Sequence, residues 1–174
     1  MGRRRAAGML LGLAAAPWAQ AKQLQLGETP PAELGHDLDG NACKIADGQG
    51  QLQMICFWAS WCGYCKQLMP ILEMIQRKAG AEAMRTLLIT SEERDKFRAL
   101  ARHARRELKL QFLHDRSGDL SKRWGGNGYP YLIVVGADGK VRESFSGYSD
   151  SLLEPILNEV NGALRERAAA AQAG

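Results

Sequence analysis

Apolar residues in this chain fall into short continuous runs separated by segments where they recur every three or four positions. Leu52–Trp58 is apolar apart from Gln53 and predicts a buried strand. Lys66–Lys78 then carries helical spacing, with Ile71, Leu72 and Ile75 continuing the pattern past Pro70. That proline is therefore expected to kink the helix and not to end it. Ala83–Thr90 predicts a second buried strand through Met84, Leu87, Leu88 and Ile89. Ser91, followed by Glu92 and Glu93, opens a predicted helix to about Leu108. Gln111–His114 reads as a short strand and Asp119–Trp124 as a short helix. Tyr131–Val135 and Val141–Phe145 form a predicted hairpin around Ala137-Asp138-Gly139. A last helix is expected over Ser151–Arg167, with the Ala-rich residues 168–174 fraying into a disordered tail. Upstream, the turn signals in Asp37–Asn41 and the alternation of Cys43 and Ile45 suggest a short hairpin or edge strand. The order βαβα(β)αββα predicts an α/β fold, one mixed sheet with helices on both faces, over residues 34–167.

The N-terminus breaks this pattern. Arg3, Arg4 and Arg5 precede a short apolar stretch, Ala6–Ala16, and Ala19-Gln20-Ala21 offers a small-x-small cleavage site. This is the order of a secretory signal peptide over residues 1–21, and the apolar run is short for a membrane span. Residues 22–33, polar and containing Pro30-Pro31, read as an extended lead-in. The 174 residues carry a formal charge of +4, and removing residues 1–21 takes away three arginines and no acid, leaving +1. The basic balance thus belongs mostly to the targeting segment, which argues against nucleic-acid binding. The arginines of the second predicted helix (Arg98, Arg102, Arg105, Arg106) read as a solvated face. Export places the protein in a periplasm-like compartment that tolerates disulfides.

That compartment matters because of Cys62-Gly63-Tyr64-Cys65, which sits where the first central strand gives way to its helix. Unpaired backbone N–H groups at a helix N-terminus stabilise a thiolate, the nucleophile of disulfide exchange. Cys62 is the expected attacking thiol and Cys65 the shielded, resolving one. A zinc site would need a second Cys/His pair, which is absent, and covalent haem would need His where Lys66 stands. No metal or organic cofactor is expected. Cys43 and Cys56 read as small buried hydrophobes, with a second structural disulfide between them as the alternative. His36, His103 and His114 read as surface or turn histidines, and Trp58 as core.

The chain resembles the thioredoxin-fold, exported TlpA-like and ResA-like thiol:disulfide oxidoreductases over about Leu34–Leu164. The resemblance rests on four features: Asp39-Gly40 in the N-terminal hairpin, Phe57-Trp58-Ala59-Ser60-Trp61-Cys62, Pro70 five residues after Cys65, and Gly128-Tyr129-Pro130 with Ala137-Asp138-Gly139-Lys140 following. It implies a cis Tyr129–Pro130 bond in a loop facing the cysteines, with the backbone of Tyr129 free to pair with an extended substrate. Trp61, Gly63, Tyr64, Tyr129 and Pro130 are then the expected substrate-binding residues. Thioredoxins proper carry a buried Asp directly before the Phe-Trp-Ala run, and this chain has Cys56 there. A thiol cannot replace a carboxylate as a base near neutral pH, so solvent or another group must take the proton of Cys65.

The resemblance further implies protein or peptide thiols and disulfides as substrates and re-reduction by a membrane electron donor of the DsbD/CcdA type. Cytochrome c maturation or general thiol repair is the implied duty, carried out by a monomer. Two rivals stand beside the reductase: an oxidase or isomerase, and a binding module in which the thiols are incidental.

Overall fold

The computed structural model describes residues 24–173, so the predicted signal segment lies outside the described residues. Its elements are β1 (Glu33–His36), β2 (Ala42–Lys44), β3 (Leu52–Phe57), α1 (Gly63–Ala79), β4 (Met84–Thr90), α2 (Arg94–Ala104), β5 (Gln111–His114), α3 (Leu120–Arg123), β6 (Tyr131–Val135), β7 (Val141–Ser146) and α4 (Leu153–Ala173). The strands form one mixed sheet in the order β2-β1-β5-β4-β3-β6-β7. β3 pairs parallel with β4 and antiparallel with β6, and β4 pairs parallel with β5. All six β3 residues are buried, as expected of a central strand covered on both sides.

Side-chain alternation along the strands splits the interior into two layers. Met54, Cys56, Trp58, Leu88, Phe112 and Leu132 face α1, α2 and α4, which contribute Leu68, Leu72, Ile75, Phe97, Ala101, Ile156 and Val160. Ile55, Phe57, Ile89, Leu113 and Ile133 face the other way, packing on Leu34, Cys43, Leu120 and Trp124. The sheet therefore carries helices on both faces; among the described residues the second face has the short α3 and a 3-10 turn at Ile45–Gly48.

Several predicted boundaries move for identifiable reasons. α1 starts at Gly63, three residues early, because Cys62 caps it. It runs through Pro70, whose side is solvent-exposed, and the buried stripe Leu68, Met69, Leu72, Ile75 is unbroken. α2 begins at Arg94 and not at Ser91. Its cap is the Glu93 carboxylate, which accepts from the amides of Asp95 (3.2 Å) and Lys96 (3.3 Å). It also stops at Ala104, short of Leu108, and residues 105–107 continue as turns. α4 extends through Ala173, so residues 168–173 continue a helix where a frayed tail was expected. Alanine's helix propensity exceeds that of every other residue, and an Ala-rich extension needs no further packing to propagate.

Cys43 and Cys56 are both free. Three strands separate β2 from β3, which at about 4.8 Å per strand puts the two near 19 Å apart, and their side chains face opposite layers. The alternative of a second disulfide is thereby excluded, since bridged Cα atoms lie within about 7 Å. The lead-in has no strand or helix from Leu24 to Pro31, but Gly27 N–H donates to Val141 O (2.7 Å) and Val141 N–H to Glu28 O (2.9 Å), so it lies along the outer edge of β7.

Candidate active site

β3 delivers the chain to the site. Past Phe57, the amide of Trp58 still donates to Ile89 O (3.0 Å), and the indole of Trp58 is buried edge-on to Phe112. The chain then turns sharply, with the amide of Cys62 donating to Ala59 O at 3.0 Å across a four-residue turn. This turn sets Cys62 in an extended conformation (φ −81°, ψ 106°) as the N-cap of α1, where its Sγ accepts from the amide of Cys65 at 3.1 Å. A sulfur thus occupies the place where Ser, Thr or Asp normally satisfies the free N–H groups of a first helical turn.

Cys62 and Cys65 are disulfide-bonded, with Cα atoms 5.3 Å apart. Cys65 is fully buried and Cys62 is 5% exposed, so the first cysteine is the one nearer solvent. No acidic residue stands in the first turn of α1, so nothing there opposes the positive end of the helix dipole. A reduced Cys62 at this point has its thiolate stabilised by both dipole and amide.

The residues expected around the pair are brought together in part. Trp61 is 73% exposed and its ring lies edge-on to Tyr129, centroids 5.9 Å apart. Tyr129–Pro130 is cis, with Pro130 buried and Tyr129 half-buried. Tyr64 is exposed on the first turn of α1, and the space over Gly63 and Gly128 is open. Trp61 and Tyr129 thus form one aromatic surface beside the disulfide. Trp61 lies largely in solvent, its ring edge against Tyr129.

Two features differ from the sequence reading. His114 is not a surface histidine: it is buried at the end of β5, stacked on Phe97 (centroids 4.9 Å, 10° between planes), with Nε2 2.8 Å from Glu92 O. That carbonyl can only accept, so Nε2 carries the proton. Ser60, in the turn before Cys62, donates from Oγ to Glu92 Oε1 at 2.5 Å. Their separation of 32 positions hides this pairing from any local pattern.

Cys56 lies fully buried on β3, and burial pushes its thiol up from 9.0 to about 12. It stays protonated throughout the physiological range and accepts no proton from Cys65. The folded pKa is above the unfolded one, so the stabilisation is complete below about pH 9 and is lost as pH rises toward 12. The slope is about 1.4 kcal/mol per pH unit over that window. Cys56→Val should flatten the alkaline fall in stability between pH 9 and 11 by this amount, measured by urea unfolding at each pH. An unchanged slope would mean that Cys56 ionises freely.

Among the described residues no three His, Cys, Asp or Glu side chains converge as a metal site, and no helix is long and apolar enough to cross a membrane. A polar cleft of about 540 Å³, lined by Leu38, Gln76, Thr86, Arg105 and Lys109, lies toward the starts of β4 and β5, away from the disulfide.

Comparison with known proteins gives a consistent set of likenesses. The thiol-disulfide oxidoreductase ResA of Bacillus cereus is 23% identical over 145 residues, covering 82% of this chain and 83% of that protein. The thioredoxin-like protein YneN of Bacillus subtilis is 26% identical over 125 residues, 71% and 73% of the two chains. Among solved structures, the exposed lipoprotein thioredoxin Etrx1 of Streptococcus pneumoniae superposes with a TM-score of 0.63 at 26% identity, covering 75% of this chain and 97% of that one. A thiol:disulfide interchange protein from a Bacteroides species gives a TM-score of 0.66 at 22% identity, with 80% and 93% covered. The fold is therefore the thioredoxin fold. Residues 25–160 match the Redoxin family, which spans nearly all of the described chain and every element of the site: the chain belongs to the Redoxin family.

Proposed function

We propose that this protein reduces disulfides of exported proteins, with Cys62 as nucleophile and Cys65 as resolving thiol. The coarse activity is thiol:disulfide oxidoreduction, supported by the family, by its oxidoreductase relatives and by the bonded cysteine pair. The observation that carries the finer reading is Cys62 as the N-cap of α1, because that position combines a stabilised thiolate with the less buried of the two sulfurs.

The reductive cycle starts from the dithiol. The Cys62 thiolate attacks one sulfur of a substrate disulfide and expels the other as a thiolate, which takes up a proton. Cys65 then loses its proton to solvent, since Cys56 cannot accept it, and attacks Cys62 Sγ. The mixed disulfide breaks, the second substrate thiol leaves, and Cys62–Cys65 is oxidised, two electrons having passed to the substrate. Trp61, Gly63, Tyr64, Tyr129 and Pro130 receive the substrate: the aromatic rings contact a flexible chain, and the Tyr129 backbone pairs with it in extended form. We place the protein in the periplasm as a monomer, served by a membrane electron donor of the DsbD/CcdA type, with cytochrome c maturation or thiol repair as its duty. The reaction needs no cofactor beyond the cysteine pair.

A reduction potential measured against glutathione tests the direction. A value near −270 mV supports a reductant, and one near −120 mV makes the protein an oxidant. Cys65→Ser should accumulate mixed disulfides with its clients, identified by mass spectrometry of the trapped adducts.

A further inference from the structure

The turn that presents Cys62 is tied to a distant carboxylate. Ser60 and Trp61 are the central residues of the turn closed by the Cys62 amide and Ala59 O. Ser60 Oγ donates to Glu92 Oε1, and the same oxygen receives Lys96 Nζ at 2.8 Å. The Glu92 side chain is 10% exposed and that of Lys96 51%, so the negative member of the pair is inside and the positive member outside. Glu92 Oε2 is buried without a hydrogen-bond partner. The Glu92 backbone is fixed independently, its carbonyl by His114 Nε2 and its amide by Thr90 Oγ1 at 3.4 Å. Burial pushes the Glu92 carboxyl upward, but hydrogen bonds from Lys96 and Ser60 outweigh this and hold it below the usual carboxylate range. It is therefore charged at neutral pH.

A buried carboxylate whose one cationic partner among the described residues is half in solvent is a poor stabilising device, because desolvation offsets most of the attraction. Its position suggests another use. Ser60 precedes Cys62 by two residues, a span of at most about 7.6 Å between Cα atoms, so the charge lies on the order of 10 Å from the sulfur. In a water-poor site a unit charge at that range is felt.

We propose that Glu92 is a positioning residue that sets the thiolate stability of Cys62, its negative charge opposing the N-terminus of α1 and Lys96 tempering it. This inference rests on Cys62 being the attacking thiol. A less stable thiolate makes the dithiol less stable relative to the disulfide, so Glu92 biases the pair toward giving up electrons. The groups facing Glu92 are Lys96 from α2, Ser60 from the active-site turn and His114 from β5. Arg94 and Arg98 of α2 line a small cleft with His36, Asp37, His114 and Arg116. Among the described residues, none of the groups bonded to Glu92 is itself a carboxylate.

The test is the pH dependence of Cys62 alkylation by iodoacetamide in the reduced full-length chain, with the modified residue assigned by mass mapping. Glu92→Gln keeps an oxygen for Ser60 but removes the charge and leaves Lys96 uncompensated. The apparent pKa of Cys62 should fall by about half a unit to one unit. Lys96→Met leaves Glu92 uncompensated and should raise the pKa. The equilibrium constant with glutathione should follow: about two- to five-fold more oxidising for Glu92→Gln, and shifted the opposite way for Lys96→Met. A purely structural role for Glu92 gives no such opposition of sign. If both variants titrate as the wild type does, or shift in the same direction, the inference is overturned. Should Glu92→Gln fail to fold, the exposed Lys96→Met carries the test alone, and an unmoved pKa there sinks the proposal. If the reduced chain is alkylated first at Cys65, the assignment of the attacking thiol fails, and this inference with it.

Discussion

Cys62→Ser is expected to bring insulin-disulfide reduction down to the uncatalysed rate, a loss of roughly 10³-fold or more. The reasoning separates chemistry from structure. Serine is among the strongest N-cap residues, so its hydroxyl oxygen can take over the amide of Cys65 that the Cys62 sulfur now accepts. The start of α1 should survive, and the circular dichroism of the variant should match the wild type. What disappears is the thiolate, because a hydroxyl does not ionise near neutral pH even at a helix N-terminus. Cys65 cannot take over, being fully buried one helical turn deeper. Wild-type turnover in this variant would overturn the redox reading and leave the fold as a binding module.

Trp124→Ala is expected to destabilise the protein by about 3–5 kcal/mol, read as a lower urea midpoint with unchanged slope. Trp124 follows the short α3 and is fully buried in the layer opposite the cysteines. Its ring packs on Phe57 with centroids 6.2 Å apart, and its Nε1 donates to Glu33 O at 3.3 Å, joining α3 to β1. Truncation opens a cavity in the thinner layer and leaves that carbonyl without its indole donor, two penalties that add. Trp61→Ala supplies the contrast: with its side chain mostly in solvent, the change should stay within about 0.5 kcal/mol. A loss under about 1 kcal/mol in Trp124→Ala would mean that this layer packs otherwise.

The central strands were legible because they are covered on both faces, so their sequences are rich in apolar residues, with few polar interruptions such as Gln53, Arg85 and Thr86. β3, β4 and β6 therefore lie within one residue of their predicted limits. Helix ends were harder. Glu92 and Glu93 look alike in sequence, yet Glu93 caps α2 while Glu92 turns to Ser60, a choice made by tertiary contacts. The cysteine pair and its place at the strand–helix junction were readable, since each is a local pattern, whereas the cis Tyr129–Pro130 bond came only from the family resemblance. The burial of His114 was not, because the face it takes depends on the register of β5 against β4. The separation of Cys43 from Cys56 depends likewise on strand order, which periodicity does not contain.

The lead-in has a consequence for orientation. Gly27 and Glu28 join β7 at Val141, and Val141 sits opposite Val135, the end of β6 remote from Pro130. At about 3.3 Å per residue, the four steps from Tyr131 to Val135 place this junction about 13 Å along the sheet from the level of the cysteines. The chain thus enters the domain at one pole and presents its reactive sulfur at the other. A tether fixed upstream of residue 24 would leave Cys62 facing away from the point of attachment, turned toward whatever approaches from solution.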